Sequence, residues 1–373
     1  MPPAPASPPD PQRELAEFHA SLNAVTPRVR VAPAIVAINA IVFAVMVASG
    51  VHVLTPTADS VLRWGADFGP RTLGGEPWRL LTNTFLHFGV IHLALNMFAL
   101  WNAGALVERI YGPLAFLALY LAAGITGSVA SVGVHPQVVG AGASGAVFGV
   151  YGALAAFVML HRGLIPMSVL TRLRGAAMSF IAYNILFGFT NKSIDNAAHI
   201  GGLLGGAAAG ALLARPLLPG RASAAARSAL AIVGACALAA AALVVLPKPV
   251  DFQGEVGAFS TMEQPVLDRY NQLLEDARTG KLDTTACAAA IEREVLAPWR
   301  AARDRLARPR PWTPQQKRVI DLLVRYAGER EAGFDAIARA ARANDNAATE
   351  RANQHHKRAE ELIEEIKNLK PES

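Results

Sequence analysis

The chain has 373 residues, of which 52% are hydrophobic and 17% are charged, against about 25% charged residues in ordinary soluble domains. Residues 1–247 carry 14 basic and 8 acidic side chains and residues 248–373 carry 21 of each, so the net charge of +6 belongs to the apolar part. Basic residues beside apolar runs are explained by membrane topology, which argues against a nucleic-acid partner and against a single soluble domain.

Seven membrane-spanning helices are predicted, because each needs about 20 apolar residues and lipid-exposed backbone must bond to itself. They fall in stretches free of Asp, Glu, Lys and Arg, at 31–58, 80–107, twice within 110–161, and at 175–191, 196–214 and 228–247. Residues 1–30 are rich in proline and lack an early apolar core. This predicts a disordered cytoplasmic leader without a signal peptide, with room for a short helix around 11–23.

The loop charges predict that the N-terminus lies inside. The interior segments 1–30, 108–112, 162–174 and 215–227 then hold ten Lys and Arg residues, and the exterior segments before the tail hold four. Seven spans place the C-terminal tail outside, which is the periplasm if the membrane is a bacterial inner membrane.

The tail, residues 248–373, has the charge density of a soluble α-helical domain. Thr313, Pro314 and Gln316 form a helix start with a capping threonine. We find no catalytic constellation in this domain, and His355 and His356 are predicted to lie on a solvated face.

The connection between the first two spans, residues 55–79, is long and mixed. It contains Trp64, Phe68, Trp78 and Arg79. Aromatic and arginine side chains suit a loop in the membrane interface, but the same pattern also fits an ordinary loop outside the membrane.

Ser144 lies in the sequence Gly142-Ala143-Ser144-Gly145, within an apolar run. A serine hydroxyl needs an adjacent base to become a nucleophile. If a helix begins near Gly142, the amides of Ser144 and Gly145 lie in its first turn and can bind an oxyanion. The small residues equally suit helix packing, since Gly145 and Gly149 form a small-xxx-small pair.

His199 supplies a candidate base in the sixth span. Gly202, Gly206 and Gly210 follow it at fourfold spacing and make a groove along one helix face. A partner helix can therefore approach at backbone distance, as a Ser–His pair within about 3 Å requires.

His92 and Asn96 lie four residues apart in the second span and project from one helix face. Two polar donors suit an oxyanion hole. Hydrogen bonding between helices is the alternative.

Together these residues resemble the rhomboid intramembrane serine proteases. The resemblance covers roughly residues 34–214 and rests on four motifs in family order. They are Trp78-Arg79, His92-x-x-x-Asn96, Gly142-x-Ser144-Gly145 and His199-x-x-Gly202-x-x-x-Gly206.

The resemblance implies that Ser144 is the nucleophile and His199 the general base. His92, Asn96 and the Ser144 amide would form the oxyanion hole, and His87 would help to hold water in the cavity. Phe148 stands where some members have a tyrosine that stacks on the histidine. Glu108 and Arg109 resemble an interfacial charged pair of the family.

The predicted organisation is a leader (1–30), a six-span protease core (31–214), a loop with a seventh transmembrane helix (215–247) and the soluble helical domain (248–373). The resemblance implies cleavage of transmembrane substrates near the outer face, with no metal or cofactor. The two cysteines, Cys236 and Cys287, predict neither a disulfide nor a metal site.

The alternative function is a catalytically silent rhomboid-like protein that binds and traffics membrane clients. Such relatives lose the serine or the histidine, and this chain keeps both. A transporter or channel would want charged groups along a midplane path, which the spans lack. The tail could recruit substrate, gate access or mediate self-association.

Overall fold

The computed structural model describes residues 10–163, 165–191, 194–214, 224–343 and 346–369, and most of these residues are helical. The chain forms two compact units, Met1–Pro249 and Val250–Ser373. Within the described ranges, the one β-type pairing is an isolated antiparallel bridge between Asp67 and Gly140. The all-α fold predicted from the sequence is therefore confirmed.

Among its described residues, the first unit contains seven apolar helices. They are α2 (Val31–Ala48), α6 (Val90–Tyr111), α7 (Pro113–Val134), α8 (Ser144–Leu160), α9 (Met167–Thr190), α10 (Asn196–Leu213) and α11 (Ala224–Val245). Five of them, all except α8 and α9, are long and apolar enough to cross a membrane. Helix α8 has 17 residues, and α9 has 24 but includes Arg172 and Arg174 in its first half. Seven membrane-spanning helices were predicted, and the bounds differ most at three of them. Helix α2 ends at Ala48 rather than at 58, α6 begins at Val90 rather than at 80, and α9 begins at Met167 rather than at 175.

Large apolar side chains face outward along these helices. Ile41 on α2, Phe98 on α6 and Phe189 on α9 are 62%, 71% and 72% exposed. Soluble proteins rarely expose apolar surface to this extent. The exposed face is the surface that a lipid bilayer would cover.

Part of the predicted disordered leader is an ordered helix, α1 (Pro11–Val25). Asp10 caps it by accepting from the Gln12 amide at 3.0 Å, and its Phe18 and Leu22 are buried. The short helix for which the sequence left room around 11–23 is therefore present and extends to Val25, whereas the disorder predicted for the leader is wrong over this stretch. Burial of an amphipathic face stabilises the helix. Residues 1–9 lie outside the described residues, as do Lys192, Arg215 and Arg221 of the loop-charge count.

Glu108 and Arg109 bind the segment that joins α1 to α2. The Glu108 carboxylate accepts from the backbone amides of Arg30, Val31 and Ala32 at 2.7–3.0 Å, and so caps the start of α2. Arg109 donates to the Thr26 carbonyl at 2.9 Å. A carboxylate at a helix N-terminus is favoured by the helix dipole. The predicted charged pair thus fixes the entry of the chain into the first span.

Short helices occupy the long connection before α6. They are α3 (Ala58–Arg63), α4 (Gly69–Thr72), α5 (Arg79–Thr82) and a 3-10 turn at Asn83–Phe85. The Arg79 guanidinium is buried and donates to the Leu62 and Ala66 carbonyls, both at 2.8 Å, while pairing with Glu76 at 2.6 Å. It also lies 4.6 Å from the centre of the Trp78 ring. The Trp78-Arg79 motif therefore organises this connection.

The second unit is a helical domain around one core. Its helices are α12 (Phe252–Arg278), α13 (Thr284–Ala290), α14 (Ala297–Leu306), α15 (Pro314–Ala343) and α16 (Asn346–Lys367), with a π-helical segment at Ile291–Leu296 between α13 and α14. Trp299, Tyr326 and Phe334 form the centre of the core.

The predicted start of α15 is confirmed as a reciprocal cap. The Gln316 amide donates to Thr313 Oγ1 at 3.2 Å, and the Thr313 amide donates to Gln316 Oε1 at 3.1 Å. The two histidines of α16 are half-buried rather than solvated. His355 pairs with Glu329 at 2.7 Å, and His356 packs against Tyr270 and Phe334.

Candidate active site

Helices α8 and α10 meet at backbone distance. A Cβ on Gly202 would overlap the Gly145 carbonyl oxygen, and one on Gly206 would overlap the backbone of Gly149. Only glycine fits at these positions, as in other membrane helix pairs that pack through small residues. The groove that the sequence predicted beside His199 is therefore the contact surface with the helix that carries Ser144.

Ser144 is the first residue of α8, and Ala143 precedes it as the N-cap. The Val147 amide makes the first bond of the helix, to the Ala143 carbonyl at 2.9 Å. The amides of Ser144 and Gly145 therefore precede the hydrogen-bond ladder and lack helical acceptors. This confirms the predicted helix start, and it leaves two backbone donors beside the serine hydroxyl.

His199 lies in the first turn of α10 and is 8% exposed. Its imidazole stacks on Phe148, with ring centroids 4.2 Å apart and an angle of 15° between the planes. The carbonyl oxygen of Ala198 lies 3.3 Å from the point that a Gly145 Cβ would occupy. The residue before the histidine thus contacts the residue after the serine.

The orientation of the His199 ring depends on stacking more than on a carboxylate. Its Nδ1 atom is buried and has no hydrogen-bond partner among the described residues. A Ser–His–Asp triad would place an acid at that atom. Among the described residues, the imidazole therefore has a stacking partner, Phe148, and no carboxylate bonded to Nδ1.

His92 points at the same place from α6. Its Nε2 atom lies 2.9 Å, and Ser144 Oγ 3.8 Å, from the point that a Cβ on Gly142 would occupy. The Phe88 amide donates to His92 Nδ1 at 3.4 Å. Because Nδ1 accepts, a neutral ring carries its proton on Nε2, so a donor faces the space next to Ser144. Gly142 has a φ of +142°, and a side chain there would fill that space.

Asn96 lies one turn after His92, as predicted. Its Nδ2 atom donates to the His92 carbonyl at 2.9 Å. A side-chain amide has two protons, so one remains for an acceptor outside the helix. The interhelical hydrogen bond considered as the alternative is not made by this atom within the described residues, since the bond found is internal to α6.

His87 is fully buried behind His92. The two rings lie 5.2 Å apart, edge to face. Neither ring nitrogen of His87 has a partner within the part of the chain that the structure describes. Buried polar atoms of this kind are commonly bonded to ordered water; the water-holding role that the resemblance implies for His87 stays a prediction.

Trp78 and Arg79 lie in the connection between α2 and α6, and not on the helix that carries Ser144. The same connection reaches the site through Asn83, whose carbonyl accepts from the Gly142 amide at 3.0 Å. The Asn83 side chain donates to Ser128 on α7 at 2.8 Å. The same Asn83 side chain donates to the Arg79 carbonyl at 2.6 Å, so Asn83 links the motif to the loop before Ser144.

Comparison with known proteins identifies the family to which this architecture belongs. A rhomboid-domain family model matches residues 74–216. Over 153 residues the chain is 33% identical to YdcA, a rhomboid relative from Bacillus subtilis (strain 168), and this covers 40% of the chain and 75% of YdcA. The chain belongs to the rhomboid family.

Two further relatives are similar to part of this rhomboid. The rhomboid protease GluP of Bacillus subtilis (strain 168) is 45% identical over 158 residues, which are 42% of the chain and 30% of GluP. The mitochondrial RHOMBOID-like protein 6 of Arabidopsis thaliana is 36% identical over 164 residues, which are 43% of the chain and 52% of that protein. The chain thus spans about a third and a half of the lengths of these two relatives.

This membership makes the protein an integral multi-pass membrane protein of a family that includes intramembrane proteases. The matched residues include each of the four motifs. The second unit and the whole of α11 lie outside the family match.

Two contributors to the site were not predicted from the sequence. Phe180 on α9 lies 5.3 Å from Phe148 and stacks on Tyr151 at 3.7 Å, so it contacts the ring on which His199 rests. Asp195 caps α10 and binds a hydroxyl on α7. Phe180 gave no signal within an apolar run, whereas Asp195 could have been recognised as a helix N-cap four residues before the histidine.

Proposed function

We propose that this rhomboid is an active intramembrane serine endopeptidase that uses Ser144 and His199 as a catalytic dyad. The observation that carries the proposal is the glycine-mediated contact of α8 with α10, which joins the first turns that hold these two residues. His199 takes the proton of Ser144 Oγ as the hydroxyl oxygen attacks the substrate carbonyl carbon.

The developing oxyanion would be stabilised by donors from two helices. The His92 Nε2 proton, the second Asn96 amide proton and the Ser144 backbone amide are the candidates. Each such donor is worth about 3 kcal/mol in the transition state. Ser144 at the start of α8 and His92 on α6 flank the same space beside Gly142, so they can act on one substrate carbonyl.

Two steps complete the reaction. The imidazolium of His199 gives its proton to the leaving amine as the C–N bond breaks, which leaves an acyl-enzyme on Ser144. Water then attacks the ester with His199 again as base, and the serine is regenerated. His87 could hold the water that this second step consumes.

Transmembrane segments of membrane proteins are the proposed substrates, cleaved near the outer membrane face. A peptide carbonyl inside a helix is shielded by its hydrogen bond, so the segment must unwind locally. We expect helix-destabilising residues and a small residue before the cut. No metal or cofactor enters these steps.

The proposed membrane is a bacterial inner membrane, with the N-terminus inside and residues 248–373 outside. That domain would then recruit substrate, bind a partner or associate with itself. A periplasm-dependent reporter fused after Ser373 should be active; activity of a cytoplasm-dependent reporter at that site would contradict the orientation.

The test is cleavage of a reporter transmembrane substrate by the full chain in liposomes. Wild type should release a fragment, and both Ser144→Ala and His199→Ala should release none. A silent client-binding relative is the alternative function, and it predicts binding of the substrate without cleavage by all three proteins.

A further inference from the structure

A polar junction joins the two segments that carry the proposed catalytic residues. It comprises Asp67, Ser131, Gly140 and Asp195, which come from the first connection, α7, the loop before α8 and the N-cap of α10. Gly140 is four residues before Ser144, and Asp195 is four residues before His199. The place of each catalytic residue therefore depends on how this junction is held.

Asp195 is bound on both of its carboxylate oxygens. Oδ1 accepts from the Ala198 amide at 3.0 Å, which caps α10. Oδ2 accepts from Ser131 Oγ at 2.5 Å. The first bond fixes the helix start on which His199 sits, and the second ties that start to α7.

Ser131 is suited to act as an anchor. It is 5% exposed and lies close to the end of α7. The Ser131 hydroxyl oxygen and the Asp67 Cβ lie 3.5 and 3.8 Å from the point that a Gly140 Cβ would occupy. Buried side-chain hydroxyls in proteins nearly always have a hydrogen-bond partner, and here that partner is the Asp195 side chain.

The loop that leads into Ser144 is held at the same junction. Asp67 and Gly140 exchange two backbone hydrogen bonds, each of 2.8 Å. The Thr72 hydroxyl donates to the Asp67 carboxylate at 2.5 Å and holds that side chain inward. The loop that leads into Ser144 is thus fixed beside the anchor of the histidine helix.

We propose that Asp195 and Ser131 are positioning residues that set the His199 imidazole relative to Ser144. The proposal rests on the proposed protease function. Neither residue contacts the reacting atoms; they act through the first turn of α10. A displacement of about 1 Å in a catalytic group can cost a hundredfold in rate, so a helix start released from α7 would slow the chemical step.

The experiment compares Asp195→Ala, Asp195→Asn and Ser131→Ala with wild type, in the full chain in liposomes. We expect Asp195→Ala to lower kcat at least about tenfold with KM within about twofold, because the base is displaced while substrate binding remains. Asp195→Asn retains acceptor and donor groups for both bonds and should stay within about threefold of wild type. The kcat of Ser131→Ala should lie between those of Asp195→Ala and Asp195→Asn. Ser49→Ala, which removes an exposed hydroxyl at the end of α2, is the matched control.

Amide hydrogen exchange on residues 196–200 gives a second measurement that does not need activity. Exchange should be faster in Asp195→Ala and Ser131→Ala than in wild type and Asp195→Asn. Thermal melting checks that each variant is folded. If Asp195→Ala failed to fold, Ser131→Ala would still decide, since it leaves the helix cap in place.

Two results would overturn the proposal. The first is that both alanine variants show the kcat and the amide-exchange rates of wild type. The second is that Asp195→Asn is as slow as Asp195→Ala, because the negative charge, and not the hydrogen bonds, would then be the property that matters. A wild-type chain that cleaves nothing would contradict the proposed function instead. The exchange comparison would then still decide whether the two residues anchor α10.

Discussion

The His199 imidazole rests on an aromatic ring that is itself supported from a third helix. Phe148 stacks on the imidazole, and Phe180 on α9 packs against Phe148. No acid is bonded to Nδ1 within the described residues, so the stacking on Phe148 is the ring contact that would orient a proposed base. Stacked aromatic pairs contribute about 0.5–1.5 kcal/mol beyond their buried area.

Removing the ring should therefore loosen the base. We expect Phe148→Ala to lower the rate of substrate cleavage about tenfold or more, since about 1.4 kcal/mol corresponds to a factor of ten. Phe148→Tyr keeps the ring face and should retain activity. Phe180→Ala should give a smaller loss of the same kind. Equal rates for Phe148→Ala and Phe148→Tyr would contradict the stacking role.

Asp67 is a buried carboxyl that makes stability depend on pH. It is 2% exposed, and burial raises its pKa from 3.8 to about 7, with bonds from Thr72 and Phe68 opposing this shift. Asp195 raises the pKa further and Arg79 lowers it. Between pH 4 and 7 the folded chain keeps a proton that the unfolded chain releases, so stability falls as pH rises through this range.

Asp67→Asn should remove this slope while keeping the acceptor for Thr72. Melting temperature in detergent, measured from pH 5 to 8, should decline in wild type and change less in the variant. Asp59→Asn, at an exposed position of the same connection, should follow wild type. An unchanged slope in Asp67→Asn would assign the pH dependence to other groups.

The pairing of α8 with α10 has no room for a single methyl group. A Gly202→Ala substitution would drive its Cβ into the Gly145 backbone, whose Cα would lie 2.9 Å away. Overpacking typically costs about 1–3 kcal/mol, and here the obstacle is backbone, which cannot rotate aside. The same displacement would part Ser144 from His199.

We expect Gly202→Ala to lower the melting temperature and to abolish substrate cleavage. Gly234→Ala on α11 is the matched control, because a Cβ there meets nothing within 4 Å. Alanine favours a helix by about 1 kcal/mol over glycine, so this control should be at least as stable as wild type. A stable, active Gly202→Ala would refute the close contact of the two helices.

The sequence predicted the residues of the candidate site more fully than the contacts that hold them in place. Apolar runs and spaced glycines indicate helices and a groove, so Ser144, His199, His92 and Asn96 could be placed on the correct elements. Contacts between distant segments carry no periodic signal. For that reason the Glu108 cap of α2 and the Ser131–Asp195 bond could not be predicted.

Helix α1 was expected only as a short helix around residues 11–23 inside a disordered leader. Its stability comes from burying Phe18 and Leu22 against the unit rather than from its own propensity. The proline-rich composition around it therefore indicated disorder.

The two units of the chain have separate cores. Trp299 is fully buried in the second unit, and its Nε1 atom donates to the Ala327 carbonyl at 2.8 Å. Both its core and its reciprocal helix cap at Thr313 lie within residues 250–373. This part of the chain therefore contains what a folded domain requires.

A fragment comprising residues 250–373 should be helical by circular dichroism and should melt cooperatively without the first unit. Trp299→Ala should destabilise it by about 3–5 kcal/mol. Trp312→Ala, at a partly buried position, should cost less. A fragment that lacks a cooperative transition would show that the unit depends on the rest of the chain.

The central claim is that His199 activates Ser144, and an activity-based fluorophosphonate tests it most directly. The folded full chain is treated with this serine-directed reagent, and the adduct is located by peptide mass spectrometry. We predict one adduct, on Ser144, in wild type and none in Ser144→Ala or His199→Ala. Absence of an adduct on wild-type Ser144, or equal labelling of wild type and His199→Ala, would contradict the account.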